Sequence, residues 1–188
     1  MAICGIDEAG RGPWAGPVVA AAVILPAKGR PKGLADSKQL TEAARSELEQ
    51  AIRGCAIVGV GIASVDEIDL MNIYQATFLA MRRAVEALSQ APVAALVDGN
   101  ALPPLPCPAE AIIDGDAHVA SISAASIIAK VTRDRMMADY CAEYPGYGFS
   151  KHKGYGVPAH QEALHRLGPC AIHRRSFKPI AAMLARSA

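Results

Sequence analysis

The sequence has few aromatic residues, no long apolar run and almost no net charge. Phe, Tyr and Trp make up 5% of its 188 residues, so we do not expect nucleic-acid bases to be read by stacking on aromatic rings. No apolar run reaches the roughly 18 residues that a membrane-spanning helix requires, and the first six residues lack the basic region and apolar stretch of a signal peptide. The 19 basic and 18 acidic residues give a formal charge of +1, which excludes a strongly basic coat protein for nucleic acid and an acidic disordered tail.

Paired cysteines are also missing. The five cysteines are odd in number and widely spaced, and no Cys-x-x-Cys pair occurs. Neither a disulfide framework nor a zinc knuckle is therefore supported, and we expect reduced thiols in a cytoplasmic protein. A length of 188 residues is typical of one domain and is sufficient to bury a core.

What the sequence does contain is a separation of charge. Residues 130–178 carry nine basic and four acidic side chains, a net charge of +5, together with four of the five histidines. The rest of the chain carries ten basic and fourteen acidic side chains, a net charge of −4. This asymmetry indicates an acidic or metal-binding site beside a surface for a polyanion, although a chance distribution or a solvated helix face would give the same counts.

Short apolar stretches alternate with segments of helical periodicity, a pattern that predicts an α/β domain with a mixed sheet. We expect five strands, at residues 2–6, 18–25, 55–64, 93–97 and 111–113. We expect helices at residues 41–53, 65–70, 72–89, 121–141, 158–167 and 177–185. Residues 101–108 contain four prolines, and residues 144–156 are rich in Gly, Tyr, Lys and His, so both segments are expected to be loops.

Four carboxylates lie at or just beyond the ends of predicted strands: Asp7, Glu8, Asp98 and Asp116. Open α/β sheets bind ligands at strand ends, and oxygen ligands without His or Cys favour Mg²⁺ or Mn²⁺. A helix cap or a turn would explain any one of these acids, whereas all four together favour a metal site. In a continuous strand Asp7 and Glu8 would point to opposite faces, so they converge only if the strand ends or bulges between them.

A glycine-rich turn follows the first two acids, with Gly10, Arg11 and Gly12 in succession. Glycine allows the backbone to approach a ligand closely. The exposed backbone groups and the guanidinium of Arg11 would suit a sugar hydroxyl and a phosphate. A Gly-x-Gly sequence alone is a weak signal, but its position beside two candidate metal ligands strengthens it.

Longer motifs occur in a fixed order along the chain. They are DEAGRGP at residues 7–13, AGP at 15–17, DSKQL at 36–40, VDGN at 97–100, GD at 115–116, SAASIIAKVTRD at 123–134, YPGYGF at 144–149 and HKGYG at 152–156. In this order they resemble the motifs of the ribonuclease HII family, and the resemblance spans about residues 3–179.

The resemblance implies a ribonuclease H-like α/β fold, in which helices flank a mixed five-stranded sheet and a small helical region lies at the C-terminus. It implies a metal-dependent endonuclease that cuts the RNA strand of RNA–DNA hybrids and nicks duplex DNA at embedded ribonucleotides. The products would carry 5′-phosphate and 3′-hydroxyl ends. Residues 1–188 would form one catalytic domain, and residues 144–188 would contact the substrate. We expect a monomer that uses Mn²⁺ or Mg²⁺, by a two-metal mechanism, and that has no membrane partner.

The resemblance also implies roles for individual residues. The metal-binding carboxylates correspond to Asp7, Glu8, Asp98 and Asp116. The turn that senses the 2′-hydroxyl corresponds to Gly10, Arg11 and Gly12. Tyr155 corresponds to the tyrosine that stacks on the sugar after the ribonucleotide, although a core or turn tyrosine would also fit this position. Lys38 and Lys130 are assigned phosphate contacts.

Several assignments leave alternatives. Asp114 competes with Asp116, and we choose Asp116 because the Gly-Asp motif of the family ends there. Asp134, which stands beside Arg133 and Arg135 in a helical pattern, is expected to form a local ion pair, and Ser123 and Ser126 are expected to be structural. His152 and His160 are expected to lie at the surface or to contact phosphate rather than to bind zinc.

Two rival functions stay open at this point. A related metal nuclease such as a junction resolvase would cut duplexes made of DNA alone. A hybrid-binding module without catalytic activity would lack at least one of the four carboxylates, and all four are present.

Overall fold

The computed structural model describes residues 2–186 and contains one mixed five-stranded sheet in the order β3-β2-β1-β4-β5. The strands are β1 (Ile3–Ala9), β2 (Val18–Ile24), β3 (Ile57–Ala63), β4 (Ala94–Asp98) and β5 (Ala109–Ile112). Strands β1, β2 and β3 pair antiparallel, whereas β1, β4 and β5 pair parallel. Because parallel strands end at the same edge, the carboxyl ends of β1, β4 and β5 lie together.

Seven helices surround the sheet in the described residues. They are α1 (Glu42–Cys55), α2 (Val65–Glu86), α3 (Gly115–His118), α4 (Ala120–Glu143), α5 (Phe149–His152), α6 (Pro158–Leu167) and α7 (Lys178–Arg186). Helix α2 packs on one face of the sheet, and α1 and α4 pack on the other. The predicted α/β architecture, a mixed five-stranded sheet flanked by helices, is confirmed. None of the helices in residues 2–186 is both long and apolar enough to span a membrane.

Small residues allow α4 to lie directly against β1. A Cβ atom on Gly5 would come within 2.2–2.5 Å of the backbone of Ser121 and Ile122, so only glycine fits at this contact. The buried stripe of α4 is correspondingly rich in alanine, with Ala124, Ala125 and Ala129 fully buried. This close approach places the N-terminal half of α4 next to the end of β1.

The sequence-based boundaries differ from the structure in a few places. The two helices expected at 65–70 and 72–89 are confirmed as two helical segments of α2, which are separated by the non-helical residue Asn72 (φ 72°, ψ 164°). The Asn72 side chain accepts hydrogen bonds from the backbone N–H groups of Tyr74 and Gln75, and these bonds restart the helix after the kink. The short helices α3 and α5 were not predicted, because four residues are too few to establish a period.

The C-terminal part of the chain has a core of its own. Tyr147, Phe149, Leu164 and Ile180 are buried together with Met137 of α4 and with Ala15 from the loop between β1 and β2. Ala15 also forms an isolated bridge with His173. The C-terminal region is thereby attached to the loop that follows the first pair of acids.

Candidate functional site

Three aspartates converge at the edge of the sheet where the parallel strands end. Each of Asp7, Asp98 and Asp116 offers one carboxylate oxygen, and these oxygens lie within 4.8 Å of one another. Asp7 is in β1, Asp98 is the last residue of β4, and Asp116 lies in α3 directly after β5. Strand register brings them together, since Ile6 pairs with Val97 and Asp98 pairs with Ile112.

Two of the three carboxylates, those of Asp7 and Asp116, are buried, and Asp98 lies close enough to repel both. Burial, followed by the charges of Glu8 and Asp98, raises the pKa of Asp7 well above its usual value. Burial, followed by the charge of Asp98, also raises the pKa of Asp116. A divalent cation between them would relieve this repulsion, and three carboxylates form a hard oxygen donor set of the kind that Mg²⁺ and Mn²⁺ prefer. The residues therefore fit a divalent metal centre.

Glu8 lies beside this cluster but is not one of the three. The expectation that β1 ends at Ile6 is wrong, because the strand continues through Asp7 and Glu8, which pair with Ala21 and Ala20. Strand alternation therefore separates the two acids. Burial raises the pKa of Glu8, Arg11 lowers it, and Asp98 raises it again. The Glu8 carboxylate lies 3.4 Å from Nη1 of Arg11.

The structure distinguishes Asp114 from Asp116, the two candidates for the last of the predicted metal-binding carboxylates. Asp114 is exposed and adopts a left-handed conformation (φ 53°) at the start of α3. Asp116 is 9% exposed, and its backbone N–H donates a hydrogen bond to Oδ1 of Asp98 at 3.2 Å. Only Asp116 belongs to the cluster of three.

Three serines hold the acidic cluster in place. The Ser126 hydroxyl is hydrogen bonded to Asp7 and lies 2.8 Å from the hydroxyl of Ser37. Ser123 donates to the backbone carbonyl of Asp116 at 2.6 Å. Sequence reasoning treated Ser123 and Ser126 as structural and did not link any of the three to the acids. Ser123 and Ser126 could have been recognised in the sequence as two polar residues three positions apart in an otherwise apolar segment of helix.

A cleft of about 240 Å³ lies next to the acidic cluster. Its lining contains all six residues predicted to contact substrate: Gly10, Arg11, Gly12, Lys38, Lys130 and Tyr155. Nζ of Lys38 lies 3.9 Å from the carboxylate of Asp116, which connects the cleft with the cluster. Glu8 and Arg11 also line a smaller cleft of about 90 Å³ on the side of α2, together with Asp98.

Lys130 is already paired within the protein. Its Nζ lies 2.6 and 2.8 Å from the two carboxylate oxygens of Asp134. The prediction that Asp134 forms a local ion pair is therefore confirmed, and its partner is Lys130. A spacing of four residues places Lys130 and Asp134 on one face of α4, whereas adjacent residues of a helix diverge.

The backbone at Tyr155 is held by a chain of neutral histidines. The carbonyl oxygen of Tyr155 accepts from Nδ1 of His160 at 2.9 Å, so Nε2 of His160 must accept from Nε2 of His173, 3.0 Å away. Nδ1 of His173 in turn accepts from the backbone N–H of Cys170 at 2.9 Å. His160 and His173 are 0% and 1% exposed, so the expectation that His160 lies at the surface is wrong.

The comparisons with known proteins agree in one family. The family model of ribonuclease HII matches residues 4–180. Ribonuclease HII of Parvibaculum lavamentivorans is 61% identical over 183 residues, which cover 97% of this chain and 68% of that protein. Ribonuclease HII of Rhizorhabdus wittichii is 58% identical over 96% of this chain and 90% of its own length. The crystal structure of ribonuclease H2 from Pyrococcus horikoshii superposes with a TM-score of 0.81 at 30% identity, covering 99% of this chain and 98% of that one.

Proposed function

This chain belongs to the ribonuclease HII family, and on that premise we propose that it nicks duplex DNA at embedded ribonucleotides. This activity would be additional to that of the family, whose members are metal-dependent endonucleases that cut the RNA strand of RNA–DNA hybrids. The observation that carries the proposal is the cleft next to the acidic cluster. One cleft is lined by the Gly10–Gly12 turn, by two lysines and by Tyr155, and it adjoins the three aspartates. A single ribonucleotide within DNA offers one 2′-hydroxyl, and the turn offers backbone groups to recognise it.

We propose that Asp7, Asp98 and Asp116, with Glu8 beside them, hold two Mn²⁺ or Mg²⁺ ions. When bound, such ions activate water and stabilise the leaving 3′-oxygen, which gives 5′-phosphate and 3′-hydroxyl ends. The protein contributes the fixed position of each carboxylate. Ser126 orients Asp7, and the backbone N–H of Asp116 orients Asp98.

In this proposal the cleft positions the nucleic acid strand. Tyr155 is 48% exposed, which leaves its ring free to stack on the sugar that follows the ribonucleotide. Lys38 is exposed and is assigned to phosphate, and Lys130 is assigned to phosphate while it stays close to Asp134. Because these contacts go to the backbone of the substrate, affinity should fall steeply with salt and depend little on sequence.

We further propose that residues 1–188 act as one catalytic domain, as a monomer in the cytoplasm, and that residues 144–188 contact the substrate. The packing of the C-terminal core against Ala15, which places Tyr155 in the cleft, supports this assignment. Size-exclusion chromatography with light scattering tests the monomer. A second copy in solution would contradict it.

The decisive experiment compares three duplexes of the same sequence with Mn²⁺ or Mg²⁺. They are an RNA–DNA hybrid, a DNA duplex with one ribonucleotide, and a duplex of DNA alone. We expect the hybrid and the ribonucleotide duplex to be cleaved and the duplex of DNA alone to stay intact. A DNA polymerase should extend the products of the ribonucleotide duplex from their 3′-hydroxyl ends. Equal cleavage of the DNA duplex would favour a resolvase-like nuclease. An intact ribonucleotide duplex would refute the proposal.

A further inference from the structure

Two arginines at the cleft are buried without a carboxylate partner among the residues that the structure describes, and one of them, Arg133, is part of the cleft lining. Arg133 is 2% exposed and Arg174 is 0% exposed. Within residues 2–186, the hydrogen bonds of both guanidinium groups all end on backbone carbonyl oxygens. Burial lowers the pKa of Arg133 to about 10 and that of Arg174 to about 9, so both stay protonated at neutral pH. Because burying an unpaired charge is costly, these contacts need an explanation beyond filling the core.

Arg174 gathers the carbonyl groups of the loop that follows β1. Its Nη1 donates to Arg11 O at 2.9 Å, its Nη2 donates to Gly10 O at 2.5 Å, and its Nε donates to Gly16 O at 2.9 Å. Its backbone N–H also donates to Trp14 O at 2.8 Å. One residue thus determines the direction of four peptide units in the loop.

Arg133 connects this loop with the segment that carries Tyr155. Its Nε donates to Pro17 O at 2.9 Å and its Nη2 donates to Ala15 O at 3.0 Å. Its Nη1 donates to Lys153 O at 3.0 Å, two residues before Tyr155. The two sides of the cleft are therefore held by the same guanidinium group.

The direction of the carbonyl groups determines where the N–H groups point. In a trans peptide unit the C=O and the N–H point in opposite directions. Since the carbonyls of Gly10 and Arg11 face Arg174 in the interior, the N–H groups of Arg11 and Gly12 face the opposite way, toward the cleft that both residues line. These two N–H groups are donors of the kind that a 2′-hydroxyl or a phosphate oxygen accepts from.

We propose that Arg174 and Arg133 are positioning residues that hold the N–H groups of Arg11 and Gly12 toward the cleft and thereby set the preference for a ribonucleotide over a deoxyribonucleotide. The inference rests on the proposed function, because it assigns the recognition of the sugar to this cleft. Neither arginine touches the reacting atoms in this proposal. Both act through the backbone of the loop.

The test replaces the planar guanidinium group of each arginine by the ammonium group of lysine, which keeps the positive charge. Arg174→Lys leaves one ammonium group, which cannot reach carbonyls spread from Gly10 to Gly16. Arg133→Lys is a second variant that loosens the contact with Lys153 and leaves Arg174 in place. The matched control is Arg83→Lys. The guanidinium group of Arg83 also donates several hydrogen bonds, to Glu67 and to Ile62 O, but Arg83 lies outside both clefts.

Two readouts separate positioning from general destabilisation. The first is the ratio of affinities for a single-ribonucleotide duplex and an all-DNA duplex, measured by fluorescence anisotropy in an Asp98→Asn background that prevents cleavage. We expect Arg174→Lys to reduce this ratio about tenfold, the loss of one hydrogen bond to the substrate. The second is hydrogen exchange at Trp14 and Gly16 of the same loop, whose N–H groups are protected by donating to Gly154 O and Ile172 O. We expect exchange there to become about tenfold faster and exchange in β2 and β3 to stay unchanged.

The control decides how a loss is interpreted. Arg83→Lys should lower the melting temperature and leave the ratio of affinities as it is in the wild type. An unchanged ratio in both Arg174→Lys and Arg133→Lys would overturn the inference, and so would an equal loss in Arg83→Lys. A wild-type protein that does not prefer the ribonucleotide duplex would refute the proposed function instead, and hydrogen exchange would still decide whether the arginines hold the loop.

Discussion

The backbone N–H of Asp116 donates a hydrogen bond to Oδ1 of Asp98 at 3.2 Å. Two acids that belong to different elements, and that repel each other as charges, are thus connected through a peptide group. The carboxylate of Asp98 is oriented before any cation binds, and the position of α3 becomes part of the metal centre. Changes to either acid should therefore affect both metal binding and the stability of the metal-free protein.

We expect Asp98→Asn to abolish cleavage and to stabilise the metal-free protein. Asparagine keeps the oxygen that accepts from Asp116 and removes one of the repelling charges. A gain of about 1 kcal/mol would raise the melting temperature by about 2–4 °C in a chain of this size. Cleavage assays and thermal unfolding in EDTA measure the two effects. Retained cleavage would remove Asp98 from the metal site.

Asp116→Asn should impair cleavage far more than Asp114→Asn. Asp116 is part of the cluster of three, whereas Asp114 is exposed in a left-handed conformation that asparagine also adopts readily. We expect Asp114→Asn to change the free energy of unfolding by less than about 0.5 kcal/mol. Rates of the two variants on one ribonucleotide duplex provide the comparison, and the reverse order would move the metal ligand to Asp114.

The stability of the metal-free protein should depend on pH in a way that Asp7 determines. The pKa of Asp7 is raised in the folded protein, so the folded state binds a proton at a pH where the unfolded state does not. The destabilising charge of Asp7 is therefore lost as the pH falls through that window. We expect the gain in stability of Asp7→Asn over the wild type, measured by thermal unfolding in EDTA, to shrink as the pH falls from neutral toward the ordinary pKa value of 3.8.

Divalent cations should compete with the protonation of these carboxylates. Protons and cations compete for the same carboxylates, so the Mn²⁺ concentration that half-saturates the stabilisation should rise as the pH falls. Thermal unfolding at several Mn²⁺ concentrations and pH values tests this, with Asp114→Asn as the control. A half-saturating concentration that does not change with pH would contradict the raised pKa values of Asp7 and Asp116.

The buried histidines should cause the opposite dependence on pH. Burial lowers the pKa values of His160 and His173 from 6.5 to about 4, so only the unfolded state takes up these protons between those values. Their contribution to stability is present above about pH 6.5 and is lost as the pH falls toward 4. We expect His160→Gln, which also ends the stacking on His152, to flatten this slope. Urea unfolding from pH 7 to pH 5 measures this slope of stability against pH. An unchanged slope in the variant would contradict the burial of His160 and His173 as neutral, hydrogen-bonded side chains.

Two glycines of the same turn should respond differently to alanine. At Gly10 (φ 98°) a Cβ would lie 2.0 Å from Nε of Arg133, whereas at Gly12 the nearest atom is Cε1 of Tyr155 at 3.5 Å. We expect Gly10→Ala to cost about 2 kcal/mol or more, because overpacking and a positive φ add together. Gly12→Ala should fold with nearly the stability of the wild type. Thermal unfolding of both variants decides this, and equal losses would refute the packing of Arg133 against the turn.

Much of the fold could be predicted because its elements carry clear periodic signals. Strands β2 and β4 are short apolar runs, and α6 begins at Pro158 as predicted. The order of the motifs then identified the family and, with it, the type of sheet. The site residues could be named from the same motifs, and the structure brings seven of them to one cleft. Their individual roles stay predictions until the variants are measured.

The rest could not be predicted because it depends on contacts between distant segments. A buried arginine that donates only to carbonyl groups leaves no pattern in the sequence, and Arg174 was counted as part of a basic surface. The position of Glu8 depends on how far β1 continues, and strand ends are the least certain feature of a periodic pattern. The pairing of Lys130 with Asp134, by contrast, follows from helical spacing and was recognisable.

The contact between Arg174 and Gly10 spans 164 positions of the chain. A ribosome makes the N-terminus first, so the five strands and all three clustered aspartates are complete long before residue 174 emerges. A nascent chain of that length would contain the acids of the metal centre while the loop beside them still lacked the residue that holds its carbonyl groups. Selectivity for the sugar would then be acquired only once residue 174 has emerged, after the acids themselves are in place.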